Sequence, residues 1–269
     1  MAPLMKIQLW YGDAEDGRLD MYDASVSLQG FAKALSITTH ALLNDGEIRK
    51  KGNTINGAKL YINPSRKGSF EELITLVIAD PFAVAIGTSV VANVFYDLIK
   101  WTWSKTLDQD YTPETSQIRK LEERIEPFIS EMEEALETPL EQAHRPIKKC
   151  NDMVIVIKRN RIGEVVRLDA ETLKSVSIQT EQAVIRNISG NVTRYNILSG
   201  IGRFYDENLG KTVSFKLEES ASSSQCRRIT WSLHHAQEPG QGKISLDVKR
   251  VVSAKGVIRR YLVQNVARA

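Results

Sequence analysis

Pro81-Phe-Ala-Val-Ala-Ile-Gly87-Thr-Ser-Val-Val91-Ala-Asn-Val-Phe-Tyr96-Asp97-Leu-Ile-Lys100-Trp101-Thr-Trp103 decides how the rest of the chain is read. From Pro81 to Tyr96 it carries no charge. Asp80 precedes it and can cap the free N–H groups of a first helical turn, a position that tolerates Pro81. Three readings compete for this stretch. As a membrane span it is short: sixteen uncharged residues rise about 24 Å, where a bilayer needs ~20 residues, although Trp101 and Trp103 would suit its boundary. As an interface helix it offers Ala83, Gly87 and Val91 at four-residue spacing, open enough for a second backbone to approach, which would make the chain a homo-oligomer. As a buried core helix it requires nothing further, and that reading is preferred over a membrane role.

Upstream, residues 6–11 read as a strand closed by Gly12-Asp13, with residues 18–22 as its hairpin partner. Ser25 then opens a helix with Leu28, Phe31, Leu35 and Leu42 on one face and Asn44-Asp45-Gly46 at its end. Residues 58–62 and 69–78 follow as strands joined across 63–68, although Leu73, Leu76 and Val77 would also fit a helix in the second. With 81–105 as a second helix, the order β-β-α-β-β-α gives an α+β layer over residues 1–110. Downstream, residues 114–137 hold eight Glu. Ile118, Leu121, Ile125, Phe128, Ile129, Met132, Ala135 and Leu136 form an apolar helical face there, and Pro127 predicts a kink or two abutting helices. Thr138-Pro139 and Arg145-Pro146 punctuate a helical linker, residues 111–146, with the domain boundary near Pro146.

Beyond the linker β signals dominate. Residues 153–157 and 163–168 pair through Asn160-Arg161-Ile162, and 171–174 make one helical turn. Val213/Phe215/Leu217, Ile229/Trp231/Leu233 and Ile244/Leu246/Val248 alternate with polar residues, each trio pointing to one side of a strand. Residues 195–205 and 257–263 bring the count to about five strands, a small antiparallel β-barrel over 147–269. The expected fold class is therefore α+β: a small antiparallel sheet with packed helices, a helical linker, then the barrel.

The net charge of +3 hides a split. Residues 1–144 hold 14 Lys+Arg against 22 Asp+Glu, and residues 145–269 hold 22 against 11. The basic half calls for nucleic acid, an acidic protein surface, or the acidic half of the same chain as its partner. Cys150 and Cys226 form no spaced pair, which fits a reducing cytoplasm, and no secretory leader is read at the N-terminus.

Most enzyme signatures fail on inspection. Gly52 and Gly57 have phosphate-loop spacing, but Ala58 separates glycine from Lys59 and no Ser or Thr follows. Gly200-Ile-Gly202 lacks the third glycine of a dinucleotide turn, and Gly87-Thr-Ser89 lacks the second glycine of a nucleophile elbow. His234 and His235 on a strand would face opposite ways, so no metal and no cofactor is expected. One catalytic alternative stands: Asp247 and Lys249, two apart on a strand face, with Asp206 or Glu207 supplying another carboxylate, as a metal-dependent nuclease requires. The better-supported expectation is a non-enzymatic binding or assembly protein. Its contacts would be Arg227, Arg228, Lys243, Lys249, Arg250, Lys255, Arg259 and Arg260, with Tyr195, Phe204, Tyr205, Trp231 and Tyr261 available to stack on bases. A membrane-acting effector using residues 81–103 is the remaining alternative.

The pieces Tyr11-Gly-Asp-Ala14, Ser27-Leu-Gln-Gly30, Gly68-Ser-Phe-Glu71, Gly87-Thr-Ser89 and Tyr96-Asp-Leu-Ile-Lys100 come before a basic β module. Together they resemble a group of uncharacterised bacterial two-domain proteins. The resemblance implies a bacterial or phage origin and, by association, a role in phage–host conflict.

Overall fold

The first helix starts on Asp20, not Ser25. The Asp20 carboxylate accepts the N–H groups of Tyr22 and Asp23 at 3.0 Å each, and α1 runs Met21–Leu43. Residues 18–22, expected as a hairpin strand, therefore hold the cap and first turn of a helix. The computed structural model describes residues 5–10, 18–49, 55–63, 71–78, 88–124, 126–159, 162–218, 222–236 and 240–268. These residues divide into two compact units: Met1–Arg124 with Met132–Ser177, and Ile125–Glu131 with Ile178–Ala269.

The first unit is built on a five-stranded antiparallel sheet, ordered β2 (Ala58–Asn63), β3 (Glu71–Ile78), β1 (Met5–Trp10), β4 (Val154–Arg159), β5 (Gly163–Leu168). The strands expected at 58–62 and 69–78 are present and paired, Leu60 opposite Leu76. So is the hairpin of β4 and β5, Ile155 opposite Leu168. Its allegiance differs from expectation, because Ile7 of β1 pairs with Glu72 on one side and with Ile157 on the other. The sheet is thus completed by strands from beyond Pro146, and the first unit extends to Ser177. Ile155, Val156 and Ile157 are fully buried, as a short β-branched run at an interior strand should be.

Helix α2 (Thr88–Thr106) is the core helix of this unit. Phe95, Leu98, Ile99, Trp101, Trp103 and Leu107 are buried almost all round. The Trp103 ring stacks on Phe31 of α1 at 6.4 Å, and its indole N–H donates to the Thr38 hydroxyl at 3.0 Å. The two tryptophans therefore fill the interior, and no helix among the described residues is long and apolar enough to cross a membrane. Of the proposed interface residues, Ala83 and Gly87 lie outside the described residues, while Val91 is half-buried.

Helices α3 (Ser116–Arg124) and α4 (Glu126–Ala143) follow one another near Pro127; of their apolar face Ile118, Phe128, Ile129, Met132, Ala135 and Leu136 are buried, Leu121 is half-buried, and Ile125 lies outside the described residues. The expected linker is helical and packed. Pro139 lies inside α4, and Pro146 sits in the first turn of α5 (Arg145–Lys149), where proline costs no hydrogen bond. Helix α6 (Ala170–Val176) completes the unit. Asp169 caps it, accepting from the backbone of Glu171 and Thr172.

The second unit is a closed barrel. Strands β11 (Ile258–Arg268), β9 (Lys211–Leu217), β8 (Ile201–Asp206), β7 (Ile185–Asn196) and β10 (Ile244–Ser253) follow in that order. The β10–β11 pairing closes the ring, and β6 (Ile178–Thr180) adds to β10. All pairs are antiparallel except β9 with β11, where Ser214 opposes Arg260. The alternations at 213–217 and 244–248 point inward as expected, joined by Phe204, Tyr261 and Val266. Gly202 leaves room for this core, since a Cβ there would lie 2.5 Å from the Phe215 ring.

The third alternation is a different object. Residues expected as a strand through Ile229, Trp231 and Leu233 form α7 (Ser223–His235). Ser222 and Gln225 make a capping box, and Cys226, Ile229 and Leu233 recur at three- and four-residue steps against the barrel interior. A strand alternation and a helical stripe share these positions, and the cap decides between them.

Candidate nucleic-acid interface

With the boundary at Ser177 the charge split is smaller but persists: residues 178–269 hold 14 Lys+Arg against 7 Asp+Glu. Several of these cations are already matched. Arg250 makes a bidentate pair with Glu181 at 2.6 and 3.1 Å, tying the approach to β7 against β10. Lys243 sits 2.7 Å from Glu207, which also accepts from the Ser189 hydroxyl at 2.9 Å. Lys243 and Ser189 together hold the Glu207 carboxyl below its ordinary pKa. Arg259 and Arg260 open β11 and are half-buried. Lys249 on β10 is half-buried and Lys255, in the turn after it, is exposed; neither has an ion pair among the described residues.

The remaining two expected contacts, Arg227 and Arg228, come together with a residue that the sequence reading passed over. Arg227, Arg228 and Arg268 line a cleft of about 450 Å³ with Ser224 and Ala267, and no carboxylate lines it among the described residues. Helix α7 sets two of these arginines one after the other, and the end of β11 supplies the third. Arg228 donates to the Val266 carbonyl, and the Gln225 amide donates to the Gln264 carbonyl at 3.1 Å. These two side chains, one helical turn apart, satisfy strand carbonyls beyond the stretch of β11 that pairs with β9. Arg227 stays exposed. Arg268 lies over the Trp231 ring at 4.3 Å, and His235 stacks on the same indole at 4.8 Å.

The aromatic set contracts. Phe204 and Tyr261 are buried in the barrel, and Tyr195 stacks on Phe215 at 6.0 Å. Tyr205 remains 40% exposed on the outer face of β8, two residues from Arg203 on the same side. Half-buried Trp231 stands beside the arginine cleft rather than in the strand core expected of it. Alternation on β8 with buried Gly202, Phe204 and Asp206 could have flagged Arg203. Arg268 carried no comparable local signal.

Asp206 is not brought to the face of β10 that carries the other catalytic candidates, Asp247 and Lys249. Asp206 is 2% exposed and faces the interior, where it accepts from the Tyr261 hydroxyl at 2.8 Å and from the backbone of Asn208 and Leu209. Asp247 lies between inward-facing Leu246 and Val248, so it faces outward, accepting from the Asn187 backbone and the Asn265 amide. The barrel wall separates the two carboxylates. His234 and His235 lie in the last turn of α7, and no metal-binding cluster of His, Cys, Asp or Glu occurs among the described residues.

Comparison with known proteins follows the same division. The model of a domain of unknown function, DUF7946, matches residues 5–177, and that of a family of unknown function, DUF7947, matches residues 185–267. No curated protein and no solved structure matches the chain. The first match ends at the last residue of the first compact unit and spans more than half of the 269 residues, so the chain belongs to the DUF7946 family.

Proposed function

We propose that this protein is a non-enzymatic binding or assembly protein whose C-terminal barrel grips a nucleic-acid backbone in the cleft of Arg227, Arg228 and Arg268. The observation that carries the reading is the lining itself: three guanidinium groups and the Ser224 hydroxyl, without a carboxylate among the described lining residues. Guanidinium forks suit phosphate oxygens, and exposed Tyr205 offers a face on which a base stacks. A bacterial or phage origin and a role in phage–host conflict belong to the same proposal, resting on the resemblance alone.

The test is fluorescence anisotropy with single-stranded DNA and RNA across a salt series. Neutralising three phosphates gives a slope of log affinity against log salt of about −2. Arg227→Ala and Arg268→Ala should each weaken binding for all sequences and shallow that slope by about 0.7. Absence of binding to both polymers at low salt overturns the proposal. Retention of an acidic protein but not of nucleic acid would reassign the same cleft to a protein partner.

A further inference from the structure

The first unit carries its own cleft, of about 320 Å³, at the size where small-molecule sites begin. Helix α2 contributes Asn93, Tyr96, Asp97 and Lys100, spaced so that all four share one face. The start of α3 and the segment before it close a second side, and the β4–β5 hairpin brings Arg159 and two apolar residues, Ile162 and Val165.

Its charges are unevenly satisfied. Asp97 accepts from the Tyr111 hydroxyl at 2.8 Å, from the backbone of Glu114 and from both the backbone and hydroxyl of Thr115. Burial pushes its pKa up, but these hydrogen bonds outweigh it and hold the carboxyl below its ordinary value. Glu164 faces Arg167 at 3.8 Å. Asp97 and Glu164 thus each have a partner from the protein. The two cations do not have the converse. Arg159 rests on the Tyr96 ring at 4.7 Å and Lys100 over the Tyr111 ring at 5.6 Å, with no carboxylate partner for either among the described residues. Tyr96 is 4% exposed, and its hydroxyl has no hydrogen-bond partner among the described residues.

We infer that this cleft binds a small phosphorylated ligand of mononucleotide size, its phosphate held by Arg159 and Lys100 and its organic part laid against Ile162 and Val165. Two ring-backed cations and an unpaired hydroxyl call for a ligand rich in acceptor oxygens. The three carboxylates around them limit how much negative charge the cleft accepts, so a monophosphate is favoured over a triphosphate. This site is separate from the arginine cleft of the barrel and does not depend on it.

Isothermal titration of the full chain with the four nucleoside 5′-monophosphates, ATP and inorganic phosphate tests the inference. At least one monophosphate should bind in the micromolar to millimolar range, more tightly than inorganic phosphate and than ATP. Arg159→Ala and Lys100→Gln should each weaken it tenfold or more, with unchanged thermal melting as the control for folding. Tyr96→Phe, which removes only the unpaired hydroxyl, should weaken binding several-fold without lowering the melting temperature. Arg227→Ala should leave this binding unchanged, which keeps it distinct from the nucleic-acid proposal. No binding by any probe at millimolar concentration overturns the inference, as does binding that Arg159→Ala and Lys100→Gln both leave intact.

Discussion

His144 shows how one buried residue sets a pH limit on the fold. Its Nδ1–H donates to the Leu140 carbonyl at 2.6 Å, and its Nε2 therefore accepts from the Thr172 hydroxyl at 2.8 Å. Burial is the main reason its pKa is pushed down from 6.5 to about 4. In the unfolded chain the ring titrates near 6.5, so between pH 6.5 and about 4 the unfolded state holds a proton that the folded state lacks. The stabilisation is complete above that window and is lost as pH falls through it, at no more than about 1.4 kcal/mol per pH unit. Urea unfolding at about pH 7.5 and about pH 5 should show a larger loss for the native sequence than for His144→Gln, whose side chain does not titrate. Equal losses would remove His144 as the cause.

At the scale of elements, α1 and the end of α4 approach as closely as backbones allow. A Cβ on Gly30 would lie 2.5 Å from the Ala143 nitrogen and the Pro139 oxygen. Ser27, on the same stripe, donates to the Ala143 carbonyl at 2.7 Å, satisfying an acceptor at the helix end, and Asp23 pairs with Arg145 at 2.8 Å. Residues 23, 27 and 30 thus bind one short stretch through a charge, a hydroxyl and an absent side chain. Gly30→Ala would gain about 1 kcal/mol in helix propensity, while forcing two helix backbones apart costs about 1–3 kcal/mol or more. Packing wins, because backbone atoms cannot rotate away as a flexible side chain can. Thermal melting should therefore show net destabilisation, and an unchanged or raised melting temperature would contradict the contact.

For the whole molecule, the consequence of the sheet order is that no cut near Pro146 leaves a stable first unit. A chain ending at Lys149 lacks β4 and β5, so β1 keeps β3 alone and the buried side chains of Ile155, Ile157, Val166 and Leu168 are lost. At about 1.5–3 kcal/mol for each fully buried aliphatic side chain, that loss rivals the whole stability of a domain. Residues 1–177 should unfold cooperatively on heating, followed by circular dichroism, and residues 1–149 should not. Cooperative melting of the shorter chain would mean that the hairpin contributes little to the sheet.

The sequence by itself determined what repeats locally. The apolar period of α1, the break between α3 and α4 at Pro127, the hairpin of β4 and β5 and the inward trios of β9 and β10 all follow from residues within one or two turns or strands of each other. It also carried the charge bias of the C-terminal half. Tertiary structure alone decided which strands complete which sheet, since β1 and β4 meet across more than 140 residues and no local pattern records the pairing. The same holds for the arginine cleft. Arg227 and Arg268 become neighbours only because α7 lies against the end of β11, and cations that look alike in sequence differ once Glu181 and Glu207 have neutralised some of them. Periodicity is a property of a segment, whereas a site depends on which segments are folded together and which charges remain uncompensated.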